Sequence, residues 1–253
     1  MKKIKLDLPT LNRQSSENKP VPPLDLLDLE EIKCPHCRDG QFLHPLLEDG
    51  KPDYSTVVPC RYCMSTETIR RSLGISSLDS TFDNFKIVEG AEDAFKAAKL
   101  IATLETNWKL LLIYGRWGNG KTHLLEAIAI TIWNKGMSAR IHTFPEFMER
   151  LKDTFDCNRD DDDSFKNIMA QFCSVPFLLL DDVGVAGSFT PFSLSQLERI
   201  MLSRYRENLL TVVTTNLDKD ELPRFVISRF NDAEKARMVL NEAEDYRPKK
   251  KTK

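Results

Sequence analysis

The sequence predicts an α/β protein built on a parallel sheet, with a small metal-stabilised module ahead of it. Three observations carry that expectation. An apolar run, Leu110-Leu111-Leu112-Ile113-Tyr114, leads directly into Gly115-Arg116-Trp117-Gly118-Asn119-Gly120-Lys121-Thr122. Two later apolar runs end in polar side chains, one in Asp181-Asp182 and one in Asn216. Two C-x-x-C pairs, Cys34/Cys37 and Cys60/Cys63, stand 22 residues apart near the start.

Composition bounds the reading. The chain has 253 residues, 41% hydrophobic and 29% charged, which fits one large globular domain with a small module. A net charge of −2 gives no global pull toward nucleic acid, so any such binding must come from a local patch. Met1-Lys2-Lys3-Ile4-Lys5 is followed by Asp7 and Pro9 instead of an apolar core, so it does not read as a signal peptide, and no apolar run is long enough to span a bilayer. A cytoplasmic protein is expected, in which paired C-x-x-C sequences mean metal more readily than disulfides.

Residues 1–30 carry Pro9, Pro20, Pro22 and Pro23 without a sustained period and read as a flexible arm. Residues 31–75 form the metal module. Two C-x-x-C turns can place Cys34, Cys37, Cys60 and Cys63 tetrahedrally around Zn²⁺, as in a zinc ribbon, with Gly40, Gly50 and Pro52 marking a hairpin between them. His36 and His44 read as bystanders, because four cysteines complete the shell. Few apolar residues lie between the pairs, so metal is expected to drive folding here. Residues 1–75 contain eleven Lys/Arg against eleven Asp/Glu, which argues for protein docking over a strong grip on DNA.

The larger domain, residues 76–247, opens at Thr81-Phe82-Asp83-Asn84-Phe85. A helix over 91–105 follows, then the strand at 110–114 and a helix ending near Gly136. The G-x-x-x-x-G-K-[ST] octapeptide between strand and helix is a phosphate cradle: glycines let successive N–H groups converge on anionic oxygens, at the positive end of a helix dipole. The strand-to-helix context disfavours the alternative of a plain glycine turn. Lys121 would neutralise the β/γ-phosphates and the Thr122 hydroxyl would hold Mg²⁺. Gly115 through Thr122 and the adjoining His123 are therefore assigned to ATP/ADP. A second strand is read at 139–143, a helix at 144–155, and a solvated acidic loop at Asp160–Asp163. The strand ending in Asp181 and Asp182 offers one carboxylate for Mg²⁺ and one to orient or deprotonate water. A helix over 192–206 precedes the strand 209–216, whose Asn216 is placed to meet a γ-phosphate or a nucleophilic water. The tail, 248–253, is basic.

The order phosphate loop, Asp-Asp strand, Thr-Thr-Asn strand, Ser228-Arg229-Phe230 and terminal Tyr246-Arg247 resembles the AAA+ ATPases. Asp182 where most of that superfamily has Glu, the Thr-Phe-Asp-Asn-Phe opening and the Ser-Arg pair resemble the helicase loaders related to DnaC and DnaI, with the IstB transposition helper a close cousin. The resemblance implies a three-layer P-loop sandwich with a truncated lid, since only 24 residues follow Arg229. It implies Walker A roles for Lys121 and Thr122, Walker B roles for Asp181 and Asp182, a first sensor at Asn216, an arginine finger at Arg229 serving a neighbouring subunit, and a second sensor at Arg247. It also implies self-association, a DnaB-type helicase as partner, and single-stranded DNA contacts from the helix after the second strand, at Phe147, Arg150 and Lys152. A transposase regulator acting on duplex DNA and a non-hydrolysing adaptor are the rival expectations.

Overall fold

Five apolar or half-apolar runs assemble into one parallel sheet. β3 (Leu110–Tyr114), β4 (Arg140–Thr143), β5 (Phe177–Asp181), β6 (Leu210–Thr215) and β7 (Ala236–Leu240) lie in the order β4-β5-β6-β3-β7. This computed structural model describes residues 34–38, 40–60, 62–156, 162–185 and 189–246; the 1–30 arm, Arg247 and the 248–253 tail lie outside them. β5 and β6 are buried along their whole length, as strands with helices on both faces must be. Successive side chains of β3 divide between the layers: Leu111 and Ile113 join one apolar cluster, Leu110 and Leu112 the other. The first cluster is closed by α2 (Glu92–Thr103) and α3 (Lys121–Asn134). The second is closed by α4 (Phe144–Asp156), α5 (Asp162–Ser174), α6 (Pro191–Arg206) and α7 (Arg224–Phe230).

The metal module sits on this frame. β1 (Phe42–Leu43) pairs antiparallel with β2 (Val58–Pro59), the hairpin expected between the cysteine pairs. α1 (Thr66–Leu73), capped by the Ser65 side chain, sends Ile69 and Leu73 into the same cluster as α2 and α3. Leu46 packs against that cluster too, and its N–H donates to the Gly136 carbonyl at 2.7 Å. The buried Glu126 carboxylate accepts from both the backbone and the hydroxyl of Ser76, at 2.6 and 2.7 Å.

Two features depart from the sequence expectations. α5 begins inside the acidic run that reads as a loop. Phe147 is fully buried with its ring 4.1 Å from that of Phe172, so it serves the core and cannot stack on DNA, while Arg150 and Lys152 stay exposed on the other side of α4. Arg204 on α6 is also fully buried. Its guanidinium donates to Thr211 Oγ1 at 2.7 Å and to the carbonyls of Val175 at 2.7 Å, Phe172 at 3.1 Å and Leu210 at 2.6 Å. That one side chain ties the end of α5 to the starts of β5 and β6.

Candidate functional site

Parallel strands put all their C-terminal ends on one edge, and the candidate site lies there. β3 runs into the glycine loop, and α3 starts at Lys121. The Lys121 ammonium, 5% exposed, donates to the carbonyls of Gly115 and Arg116 at 2.7 Å each and to Asn119 Oδ1 at 3.0 Å. A buried cation held by neutral oxygens inside a loop of N–H donors is a receptor for anions.

The loop is braced from outside by the segment after β7. A side chain at Gly115, whose φ is 138°, would overlap the Asn241 carbonyl oxygen, and one at Gly118, φ 76°, would overlap the Asp245 carboxylate. Asn119 and Asn241, both buried, exchange side-chain-to-backbone bonds: Asn119 Nδ2 donates to the Asn241 carbonyl at 2.7 Å and Asn241 Nδ2 to the Asn119 carbonyl at 2.9 Å. The Tyr246 N–H donates to the Gly118 carbonyl at 3.0 Å. A cleft of about 560 Å³ opens between Gly115–Trp117 and this segment.

Across the edge, β5 and β6 supply the acidic and polar groups. The Thr122 hydroxyl donates to Asp181 Oδ2 at 2.9 Å, and the Thr214 hydroxyl donates to Asp181 Oδ1. Burial raises the Asp181 carboxyl above its usual range, and the neighbouring Asp182 charge adds to that, while the two threonine hydroxyls oppose it. Asp182 adopts φ 55°, a left-handed conformation that Asp tolerates better than most residues. Its N–H donates to Thr214 Oγ1 at 3.2 Å and its carboxylate accepts from Asn216 Nδ2 at 3.1 Å. Hydroxyl and carboxylate oxygens within one hydrogen bond of each other are hard donors suited to Mg²⁺. The loop, the Thr122–Asp181 pair and the Asp182–Asn216 pair are therefore brought together.

The bacterial DnaA ATPase-domain family matches residues 77–207, just over half of the chain. This chain belongs to that family of AAA+ ATPases. It is 27% identical to the replicative helicase loader DnaC of Escherichia coli K12 over 65% of this chain and 67% of that protein. It is 32% identical to the replicative helicase loader DnaI of Bacillus subtilis over 45% of this chain and 35% of that one. With the chromosomal replication initiator DnaA of Mycoplasma genitalium the identity is 30%, over 49% of this chain but only 28% of the relative. A crystal structure of the DnaC helicase loader superposes with a TM-score of 0.51 at 20% identity, covering 65% of this chain and 98% of that one, a likeness of fold.

The His123 ring turns to the leading segment, donating from Nε2 to the Thr81 carbonyl at 2.9 Å and meeting Phe85 edge-on at 5.2 Å. Arg229 on α7 lays its guanidinium 5.4 Å from the centre of the Tyr205 ring, whose hydroxyl bonds Asp232 at 2.5 Å. Arg247 lies outside the described residues. Thr214 and Asn241 also belong to this edge, and neither carries a signal of its own in the sequence. Thr214 reads there as one more strand threonine, and Asn241 follows a short run, Ala236–Leu240, that leads into no recognisable motif.

The four predicted metal-module cysteines converge. Their sulfurs all lie within 4.8 Å of one another, Cys34 to Cys60 at 3.7 Å and Cys37 to Cys63 at 3.5 Å. Tetrahedral zinc with Zn–S bonds of about 2.3 Å separates sulfurs by about 3.8 Å, so the cage fits that ion. The N–H of Cys37 lowers the Cys34 thiol to about 7 against the opposing effect of burial, while burial and the neighbouring sulfurs push Cys63 up. Thiols crowded this closely ionise together only around a cation. His36 stacks on Tyr62 with ring centres 3.5 Å apart and His44 Nδ1 donates to the Thr56 carbonyl at 2.9 Å, so neither histidine belongs to the cage.

Proposed function

We propose that this AAA+ protein is an ATP-dependent loader that binds a DnaB-type replicative helicase and delivers it onto single-stranded DNA during replication initiation, in the bacterial or phage-infected cytoplasm. The observation that carries the reading is similarity to the DnaC loader along two thirds of both chains, joined to a complete set of phosphate-loop, Asp-Asp and Asn side chains at one sheet edge. Lys121 and the loop amides bind the phosphates, Thr122 and Asp181 hold Mg²⁺, and Asp182 with Asn216 orients the attacking water. Magnesium, when bound, supplies charge neutralisation at the transferring phosphoryl group.

The 76–247 domain self-associates, with Arg229 leaving Tyr205 to reach the nucleotide of a neighbouring copy and Arg247 acting as second sensor. The 31–75 zinc module and the 1–30 arm grip the helicase, and Arg150 and Lys152 approach DNA. Capture of a DnaB-type helicase by the full chain, lost on removing residues 1–75, tests the partner. Steady-state phosphate release, compared with Asp182→Asn, tests hydrolysis. Filaments on duplex DNA without helicase binding would instead favour a transposase regulator, and wild-type turnover no higher than the Asp182→Asn background a nucleotide-switched adaptor.

A further inference from the structure

Thr214 lies on β6, two residues before Asn216, with its side chain fully buried. A hydroxyl has one proton to give and lone pairs to receive with. The Thr214 proton goes to Asp181 Oδ1, and its oxygen accepts the Asp182 N–H at 3.2 Å. The same residue's carbonyl accepts from the Val183 N–H at 3.0 Å. Three consecutive residues of the β5 exit thus bond to this one threonine. Since Thr122 takes Asp181 Oδ2, the two carboxylate oxygens have separate partners and the carboxylate plane is fixed. The accepted N–H occupies one lone pair of the hydroxyl and the proton is directed at Asp181. Meanwhile the Asp182 N–H bond pins the left-handed turn that swings the second carboxylate to Asn216.

We propose that Thr214 is a positioning residue for magnesium. By holding Asp181 Oδ1 it leaves Oδ2 alone facing Thr122, and by holding the Asp182 N–H it keeps the turn that separates the metal-facing carboxylate from the water-facing one. The inference rests on the reading of this edge as a Mg²⁺–ATP site. A valine has the same shape and no hydroxyl. It leaves a buried carboxylate oxygen and a buried N–H without that partner, and the carboxylate rotates to find others.

The test is Mg²⁺-dependent binding of a fluorescent ATP analogue to the full chain, measured also in excess chelator, with the wild type, Thr214→Val and Thr214→Ser. The expected result is a roughly tenfold rise in the Mg²⁺ concentration for half-maximal binding in T214V, on the order of one buried charge-assisted hydrogen bond. Metal-free affinity stays within twofold, and T214S stays within about threefold of wild type throughout. A purely structural threonine would lower the unfolding temperature of T214V and leave its Mg²⁺ dependence unchanged; that result overturns the proposal. If T214V loses its cooperative unfolding transition, Thr214→Cys carries the same comparison, because a thiol is a poor donor and acceptor. Failure of the wild-type chain to bind the analogue at any Mg²⁺ concentration would overturn the nucleotide reading, and this proposal with it.

Discussion

The side-chain amide of Asn216, at the end of β6, donates to the carboxylate of Asp182, at the end of β5, across 3.1 Å. The two side chains meet because β5 and β6 are paired in register, Leu180 opposite Val213, and because Asp182 turns left-handed just beyond the sheet. A carboxylate so held has one oxygen engaged and the other available to a water. Asn216→Ala frees the carboxylate without touching the phosphate loop. The expected outcome is nucleotide affinity within about threefold of wild type and turnover lower by roughly 10²-fold, the usual scale for losing a positioned general base. Equilibrium binding and phosphate release on the same preparation separate the two effects.

A second prediction concerns the brace behind the loop. Asn241→Leu removes the donor to the Asn119 carbonyl, and the acceptor of the Ala243 N–H, while keeping the branched outline of the side chain. Asn119 also accepts from Lys121 at 3.0 Å, so slack at Asn241 passes directly to the phosphate-binding ammonium. Leaving a buried carbonyl unsatisfied costs about 1–3 kcal/mol. Thermal unfolding is expected to drop accordingly, and the affinity for ATP to fall about tenfold. Full affinity alongside a lower unfolding temperature would show that the brace serves stability alone.

How much of this was legible in the sequence depends on whether the signal was local. β3, β5 and β6 are continuous apolar runs with a chemical terminus, and their bounds agree with the sequence reading to within two residues. The glycine loop carries its whole geometry in eight consecutive residues. β7, by contrast, is an edge strand, Ala-Arg-Met-Val-Leu, whose Arg237 stretches over Trp108; its partner β3 lies more than a hundred residues away and nothing nearby announces it. The same holds for Asn241, which matters only because topology brings the chain back to the loop. α1 is not legible for another reason: its apolar face is just Ile69 and Leu73, and their burial depends on the α2–α3 layer. Phe147 failed in the opposite direction, since an aromatic on an amphipathic helix looks the same whether it faces solvent or Phe172.

The third prediction is that the zinc cage stabilises the ATPase body as well as its own hairpin. Cys34 and Cys60 are buried, and Leu46 and α1 carry the module into the cluster built by α2 and α3. One zinc per chain is expected by elemental analysis. Its removal by chelation, or Cys34→Ser, should cost several kcal/mol of folding free energy where metal and fold are coupled. At roughly 2–4 °C per kcal/mol for a chain of about this size, the unfolding temperature of the whole protein falls by on the order of 10 °C. Calorimetry that finds the main transition unmoved after metal removal would limit the cage to local structure.

The last prediction is a pH dependence set by His142. This residue sits on β4 with its ring 4.7 Å from that of Phe172, and burial, reinforced by the charges of Arg140 and Arg150, pushes it down to about 4. It is neutral when folded at any pH above that value. The unfolded chain, with an ordinary histidine near 6.5, binds the proton first as pH falls. Between pH 6.5 and about 4 the unfolded state therefore holds more protons, and stability must rise with pH across that window. The contribution is fully present above pH 6.5 and is lost on acidification, amounting to about 2 kcal/mol at pH 5 by the linkage relation. His142→Leu keeps an apolar ring-sized neighbour for Phe172 and cannot take up a proton. Denaturant unfolding of the two proteins at pH 7.5 and pH 5 should give a smaller pH-induced loss for H142L, by that amount. Equal losses in both would mean that His142 is protonated in the folded chain and that the Arg140 and Arg150 charges are screened from it.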